Sequence, residues 1–204
     1  KLKDVEIGFA DIAYLQYTGG TTGVSKGAML SHRNMVYNVQ QTITWQGDVY
    51  DDVDRVIAIT ALPLYHIFSL EGNCLTVMAL GGENVLITNP RDFEGFAKEI
   101  SKFKFNLFTG VNTIFASLMN TPSFDKIDFS HLKVSIGGGM AVQPAVAREW
   151  KQKTGQPILQ GYGLTETSPV AICCRIGDEF TGTIGLPVPS TDVMIAGDDG
   201  NALA

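Results

Sequence analysis

The feature that most constrains this chain is a repeated alternation of two hydrophobic periods. Short β-branched or apolar runs read as strands: Arg55–Thr60, Asn84–Thr88, Asn106–Thr109, Leu132–Ile136 and Pro157–Gln160. Between them lie stretches of helical spacing at Phe68–Leu80, Asp92–Lys104, Val111–Met119 and Val142–Lys153. The second of these puts Phe93, Phe96, Ile100 and Phe103 on one face, and Gly81-Gly82 closes the first. Strands that alternate with helices predict an α/β fold, a mostly parallel sheet flanked by helices. Its crossovers should be right-handed, and ligands should gather at the carboxyl ends of the strands. Four segments each follow a strand directly: 18–27, 61–66, 137–140 and 161–167. They are therefore expected to share one crevice.

Upstream, Ile12–Tyr17 reads as a buried strand and Ala28–Leu30 as a short one. Ser31 is placed to cap a helix over His32–Gln46, with Met35, Val36, Val39 and Ile43 at helical spacing. Asp48–Asp54 is an acidic, turn-rich loop. Beyond Thr181 the pattern changes to Gly/Pro-rich turns with one strand near Val193–Ile195. The expected division is an α/β unit over 1–180 and the start of a β-rich portion over 181–204. The chain opens without methionine and stops just past a turn, so it reads as an internal piece of a larger protein.

Nine of the 22 glycines gather at 19–27, 137–139 and 161–163. The first group lies in Tyr17–Gly27, with three threonines, Ser25 and Lys26. Such a stretch offers backbone N–H groups, short hydroxyls and one cation, the groups that wrap phosphate oxygens. A flexible surface loop is the plain alternative. A Walker loop is excluded, because Lys26 is followed by Gly27 rather than by Ser or Thr. The second stretch is Gly161-Tyr162-Gly163-Leu164-Thr165-Glu166-Thr167. Its glycines allow close approach of a ligand, Tyr162 offers a stacking face, and Glu166 is a hard oxygen donor suited to Mg²⁺ bound to phosphate. The alternative is an ordinary helix start, capped by Thr165 with Glu166 as its first-turn anion.

A net charge of −6 argues against nucleic acid as a partner. The three cysteines and three histidines show no zinc spacing, and the odd cysteine count suggests a reducing compartment. Cys74, in an apolar run, reads as a small core residue. No apolar run reaches 18 residues. A cytoplasmic location is expected, with peripheral contact to the inner membrane allowed.

Together the two glycine-rich stretches resemble the signature motifs of the adenylate-forming enzymes, with Gly19 where Ser is usual and Ser25 where Pro is usual. Leu62-Pro63-Leu64-Tyr65-His66, Gly137-Gly138-Gly139-Met140 and Thr183–Pro189 resemble further segments of that superfamily. The resemblance covers essentially the whole chain and is nearest to bacterial long-chain fatty-acid–CoA ligases. It implies Thr18, Gly20, Thr21, Thr22, Gly23 and Lys26 around the β- and γ-phosphates of ATP. It implies Tyr162 on adenine, Thr165 at the α-phosphate and Glu166 on Mg²⁺, with Gly138, Gly139 and Gly163 flanking the nucleotide. His66, Phe68, Gly137 and Gly161 are implied on the acyl side, Phe68 being the aromatic nearest the position where some long-chain enzymes gate a tunnel. Lys26, Thr165 and Glu166 are the implied catalytic groups.

The implied reaction joins a fatty acid to coenzyme A through an acyl-adenylate. The resemblance also places a ribose-binding Asp, a hinge and a catalytic Lys beyond Ala204, so these 204 residues are not expected to complete ligation alone. Two other readings stay open at this point. One is a non-catalytic association module that could form a homodimer; the other is an enzyme that activates an aryl or amino acid.

Overall fold

A computed structural model describes residues 3–18 and 25–203. Chain order begins with β1 (Ile12–Thr18), β2 (Lys26–Ser31) and α1 (His32–Gln46). Then come β3 (Ile57–Thr60), α2 (Ile67–Ser69), a π-helical turn over Leu70–Leu75, and α3 (Thr76–Ala79). The rest is β4 (Glu83–Leu86), α4 (Phe93–Ile100), β5 (Leu107–Gly110), α5 (Asn112–Met119), β6 (Val134–Gly137), α6 (Pro144–Thr154), β7 (Ile158–Gly163), β8 (Val170–Cys173) and β9 (Leu186–Pro187). Seven strands form one sheet in the order β4-β3-β5-β6-β7-β8-β9. β4 through β7 pair in parallel, and β8 and β9 are added antiparallel. The α/β expectation therefore holds.

Strand order reverses at β3, which has β4 on one side and β5 on the other. A sheet wound both ways opens a crevice at that switch, outside the carboxyl ends of its strands. Successive residues of the central strands enter opposite cores: Ala58, Leu107, Val134 and Leu159 on one side, Ile59, Phe108 and Ile158 on the other. Burial on both faces explains why these strands read as continuous apolar runs instead of alternating with polar residues.

One face is covered by α4, α5 and α6 and is apolar and aromatic. Wholly buried Trp150 is its hub, with ring centroids 4.9 Å from Phe115, 5.2 Å from Phe108 and 5.6 Å from Phe129. Its indole Nε1–H donates to Ser135 Oγ at 3.1 Å, so the one polar atom of the ring is satisfied. The covering helices have local start and stop signals. Asp92 accepts from the Gly95 N–H at 2.9 Å at the head of α4, and α6 starts on Pro144 and ends at Gly155 with φ 79°.

The other face carries α1 and the run α2–π–α3. Ser31 Oγ accepts from the Asn34 N–H at 3.2 Å while Asn34 Oδ1 accepts from the Ser31 N–H at 3.0 Å, a reciprocal cap that fixes the start of α1. The inward residues of α1 are Met35, Asn38 and Gln46, whereas Val36 is exposed. Asn38 Nδ2 donates to Val170 O at 2.8 Å, and its Oδ1 accepts from the Val170 N–H at 3.0 Å. Trp45 Nε1 donates to Cys174 O at 2.9 Å. So α1 is strapped lengthwise to β8 by polar side chains.

Four expectations are corrected. Ile12–Thr18 is a strand, but it is not buried: it pairs antiparallel with β2 in a separate two-stranded sheet, and Leu15, Tyr17 and Met29 are exposed. The helix expected over 68–80 is interrupted by the π-turn. No strand forms at 193–195, where the described backbone shows only an isolated bridge between Ala196 and Ala202. Cys74 is half-buried, not a core residue.

Candidate functional site

All four strand-following segments contribute to one cavity of about 350 Å³ between α1, the α2–π–α3 run and the ends of β5, β6 and β7. Thr18 reaches it from the hairpin. The hairpin is held over the mouth by Gln16, whose Nε2 donates to Tyr65 O at 2.5 Å. Thr18 lies opposite Lys26 in the ladder, and Thr18 Oγ1 donates to Lys26 O at 3.4 Å. Lys26 itself is exposed and is not on the cavity wall. Gly20, Thr21, Thr22 and Gly23 lie outside the described residues.

His66 caps α2: its Nδ1 accepts from the Phe68 N–H at 3.3 Å. An accepting Nδ1 leaves the proton of the neutral ring on Nε2. His66 and Phe68 both line the cavity. Gly138 is favoured by Phe68, since a Cβ there would stand 3.0 Å from the aromatic ring, tighter than an ordinary contact. Gly139, with φ +75°, completes that turn on the wall. Gly137 does not reach the wall. It is buried, and its missing side chain makes room for Val142, whose Cγ2 would lie 2.4 Å from an added Cβ.

Gly161, Tyr162 and Gly163 form the end of β7 and enter the wall with Thr165 and Glu166. A Cβ on Gly163 would lie 2.0 Å from Pro169 O, so glycine is what lets β8 turn back this tightly. The next residues form a single 3-10 turn, Thr165–Thr167. Thr167 holds it, its Oγ1 accepting from the Leu164 N–H at 2.8 Å. Thr165 is therefore not the cap. Among the described residues, Glu166 is the only charged side chain on the cavity wall, and none of the recorded ion pairs engages it. A free, exposed carboxylate fits Mg²⁺, which is commonly held by one or two carboxylates together with substrate phosphates and water. No cluster of three His, Cys, Asp or Glu occurs among the described residues.

Away from the mouth the wall changes character. Ile136, Leu159, Cys173, Ile176 and Val188 make it apolar, and α1 adds Thr42, Trp45 and Gln46. Sequence reading missed these α1 residues, because they sit on a helix face with too few apolar residues to look inward. Gly72 lines the cavity from the π-turn. Its neighbour Asn73, wholly buried, donates through Nδ2 to Thr60 Oγ1 at 3.1 Å and accepts at Oδ1 from Thr109 Oγ1 at 2.8 Å. This network pins the π-turn to β3 and β5. On the other side of Gly72 is Glu71, wholly buried, with neither carboxylate oxygen partnered. Burial pushes its pKa up to about 9; the Val39 N–H opposes this weakly, short of hydrogen-bond geometry.

This arrangement has clear relatives. The profile described as AMP-binding enzyme matches residues 2–204. The chain belongs to the AMP-binding enzyme family. It is 52% identical over 199 residues to a long-chain-fatty-acid–CoA ligase of Haemophilus influenzae, which covers 96% of this chain and 35% of that protein. It is 37% identical over 195 residues to the Bacillus subtilis protein of the same name, covering 95% and 34%. Among solved structures, the anthranilate CoA ligase AuaEII in complex with anthranoyl-AMP superposes with a TM-score of 0.89 at 25% identity, over 100% of this chain and 39% of that one. ATP-bound MatB from Rhodopseudomonas palustris gives 0.82 at 26% identity, over 100% and 39%. The chain thus spans about a third of the length of these relatives. Among the described residues no helix is long and apolar enough to cross a membrane.

Proposed function

We propose that this chain is the nucleotide- and acyl-binding core of a long-chain fatty-acid–CoA ligase. The observation that carries the reading is the two-part cavity. Its mouth holds Thr18, His66, Tyr162, Thr165 and Glu166, and its interior is mostly apolar, with Thr42 and Gln46 as the polar side chains that α1 adds. Such a shape suits a ligand with a polar, charged head and a hydrocarbon tail, and an acyl-adenylate is one. The two long-chain-fatty-acid–CoA ligases among the relatives support the same substrate class.

In the reaction, a fatty carboxylate oxygen attacks the α-phosphorus of ATP and pyrophosphate leaves. The thiolate sulfur of coenzyme A then attacks the acyl carbonyl carbon and AMP leaves. Both partners of the first step are anions, so the site must offset their repulsion. Lys26, Thr18, Gly20, Thr21, Thr22 and Gly23 hold the β- and γ-phosphates, and Thr165 donates to the α-phosphate. Glu166 would hold Mg²⁺, which would supply further charge neutralisation when bound. Tyr162 stacks on adenine against the Gly138-Gly139 turn. His66 presents Nε2–H toward the carboxylate, with Phe68 and Gly161 bounding the first acyl carbons. Gly137 acts indirectly, by letting Val142 and Ile158 pack beneath that turn. Lys26 lies off the cavity wall, so its role requires the hairpin end to bend toward the ligand.

These residues alone are expected to bind but not to turn over oleate, ATP and coenzyme A, because they amount to a third of the length of the relatives. The test is the melting temperature with a non-hydrolysable dodecanoyl-adenylate analogue, which must rise if the native state binds it. Lys26→Ala and Glu166→Ala should each shrink the rise. No rise in the parent chain favours a non-catalytic association module, to which the exposed apolar residues of the hairpin would lend themselves as a homodimer surface. A rise unchanged in both variants removes the roles given to Lys26 and Glu166.

A further inference from the structure

The depth of the cavity can be read from the straps between α1 and β8. Asn38 is bound to Val170, which pairs with Gly163 at the mouth. Trp45 is bound to Cys174, whose N–H donates to Gln160 O further down β7. Seven residues of helix separate the two straps, which sets Trp45 about 10 Å deeper than Asn38. The β8 side gives a similar depth, about 13 Å from Val170 to Cys174. The indole lines the cavity, is half-buried, and is larger than Gln46 or Ile176, the other side chains of the wall at this depth. Its ring is held there by the hydrogen bond to Cys174 O. Gln46 and Ile176 complete the deep end. Thr42, one helical turn nearer the mouth, is a smaller side chain on the same wall.

We infer that Trp45 closes the acyl cavity and limits the chain length that the enzyme accepts. This rests on the reading of the cavity as an acyl site. A chain long enough to reach the indole must displace it and break its bond to Cys174 O. Removing the indole lengthens the deep end, and further methylenes can then occupy the space it leaves. Each buried methylene favours binding, so the gain should grow with chain length until the chain emerges into water.

The test is the affinity of the full-length enzyme for a series of non-hydrolysable acyl-adenylate analogues from octanoyl to octadecanoyl. Trp45→Ala should raise the octadecanoyl-to-octanoyl affinity ratio by about tenfold or more, leaving octanoyl binding nearly unchanged. Trp45→Phe, which keeps most of the plug, should move the ratio much less. Thr42→Phe narrows the wall above the plug and should lower the ratio by about tenfold. If Trp45→Ala does not fold, the opposite shift in Thr42→Phe decides. Binding of the series with the same ratio in every folded variant overturns the assignment to Trp45. Failure of any analogue to bind the parent enzyme overturns the acyl-site reading itself, which is a different result.

Discussion

The two faces of the sheet are built from the same strands and obey different rules. The face under α4, α5 and α6 is a close-packed aromatic core whose buried indole N–H has a partner in Ser135. The face under α1 and the α2–π–α3 run holds the cavity and the π-turn. Among the described residues, every buried side-chain polar atom without a partner lies on this second side: Thr42, Gln46, Tyr50, Glu71 and Thr76. Close packing and full polar satisfaction go with stability. Unpartnered polar groups and a π-turn are costly features that tend to cluster where a protein binds something. The first face reads as the foundation of this domain and the second as its working surface.

The sharpest way to break that comparison is at Trp150. Trp150→Ala removes the hub of the aromatic face and leaves the Ser135 hydroxyl without its donor. It should cost about 3–5 kcal/mol of unfolding free energy, measured by urea denaturation. A loss below about 1 kcal/mol would mean that this face is not the foundation.

A smaller effect, of opposite sign, is expected at Glu71. The folded protein holds this carboxyl protonated until about pH 9, whereas the unfolded chain releases the proton in the ordinary carboxylate range. The unfolded state therefore binds fewer protons between those limits, and stability falls as pH rises through that window. The slope from this group is at most about 1.4 kcal/mol per pH unit. Glu71→Met removes the buried carboxyl at similar volume. It should stabilise the protein by about 2 kcal/mol at pH 7 and flatten the fall in stability above pH 5. An unchanged pH profile would show that the carboxyl is solvated or paired, and the contrast between the faces would weaken.

How much of this could be read from the sequence divides along the same line. The foundation face was legible because its residues carry both kinds of signal. Phe93, Phe96 and Ile100 keep a helical spacing, and the strands between are short and apolar. The glycine-rich turns at 138–139 and 161–163 were legible too, since Gly139 takes a left-handed φ and a Cβ on Gly163 would collide with the Pro169 carbonyl. The working face was hidden for three reasons. The inward side of α1 is polar, so periodicity pointed to Val36, which is exposed. The π-turn leaves no periodic trace in six residues. β8 and β9 are short additions fixed by straps from Asn38, Gln41 and Trp45, contacts more than 120 residues apart in sequence that no local pattern announces. The hairpin was misread for a related reason: an apolar strand looks buried whether or not the chain at hand covers it.

The smallest expected effects compare one kind of edit on the two faces. Thr76 is wholly buried in the run beneath α1, and its Oγ1 has no partner. Thr76→Val keeps the shape and deletes the orphan hydroxyl, so stability should rise by up to about 1 kcal/mol. Ser135, also buried, accepts from Trp150 Nε1. Ser135→Ala deletes a hydroxyl that is in use and strands the indole N–H, so stability should fall by about 1–2 kcal/mol. Both values come from chemical denaturation at one pH, and the sign carries more weight than the size. A hydroxyl whose loss is harmless on one face and harmful on the other shows that polar satisfaction, not burial alone, separates the two. If both edits destabilise to the same degree, then Thr76 Oγ1 has a partner in solution, such as an ordered water, and the working face is better satisfied than its side chains alone suggest.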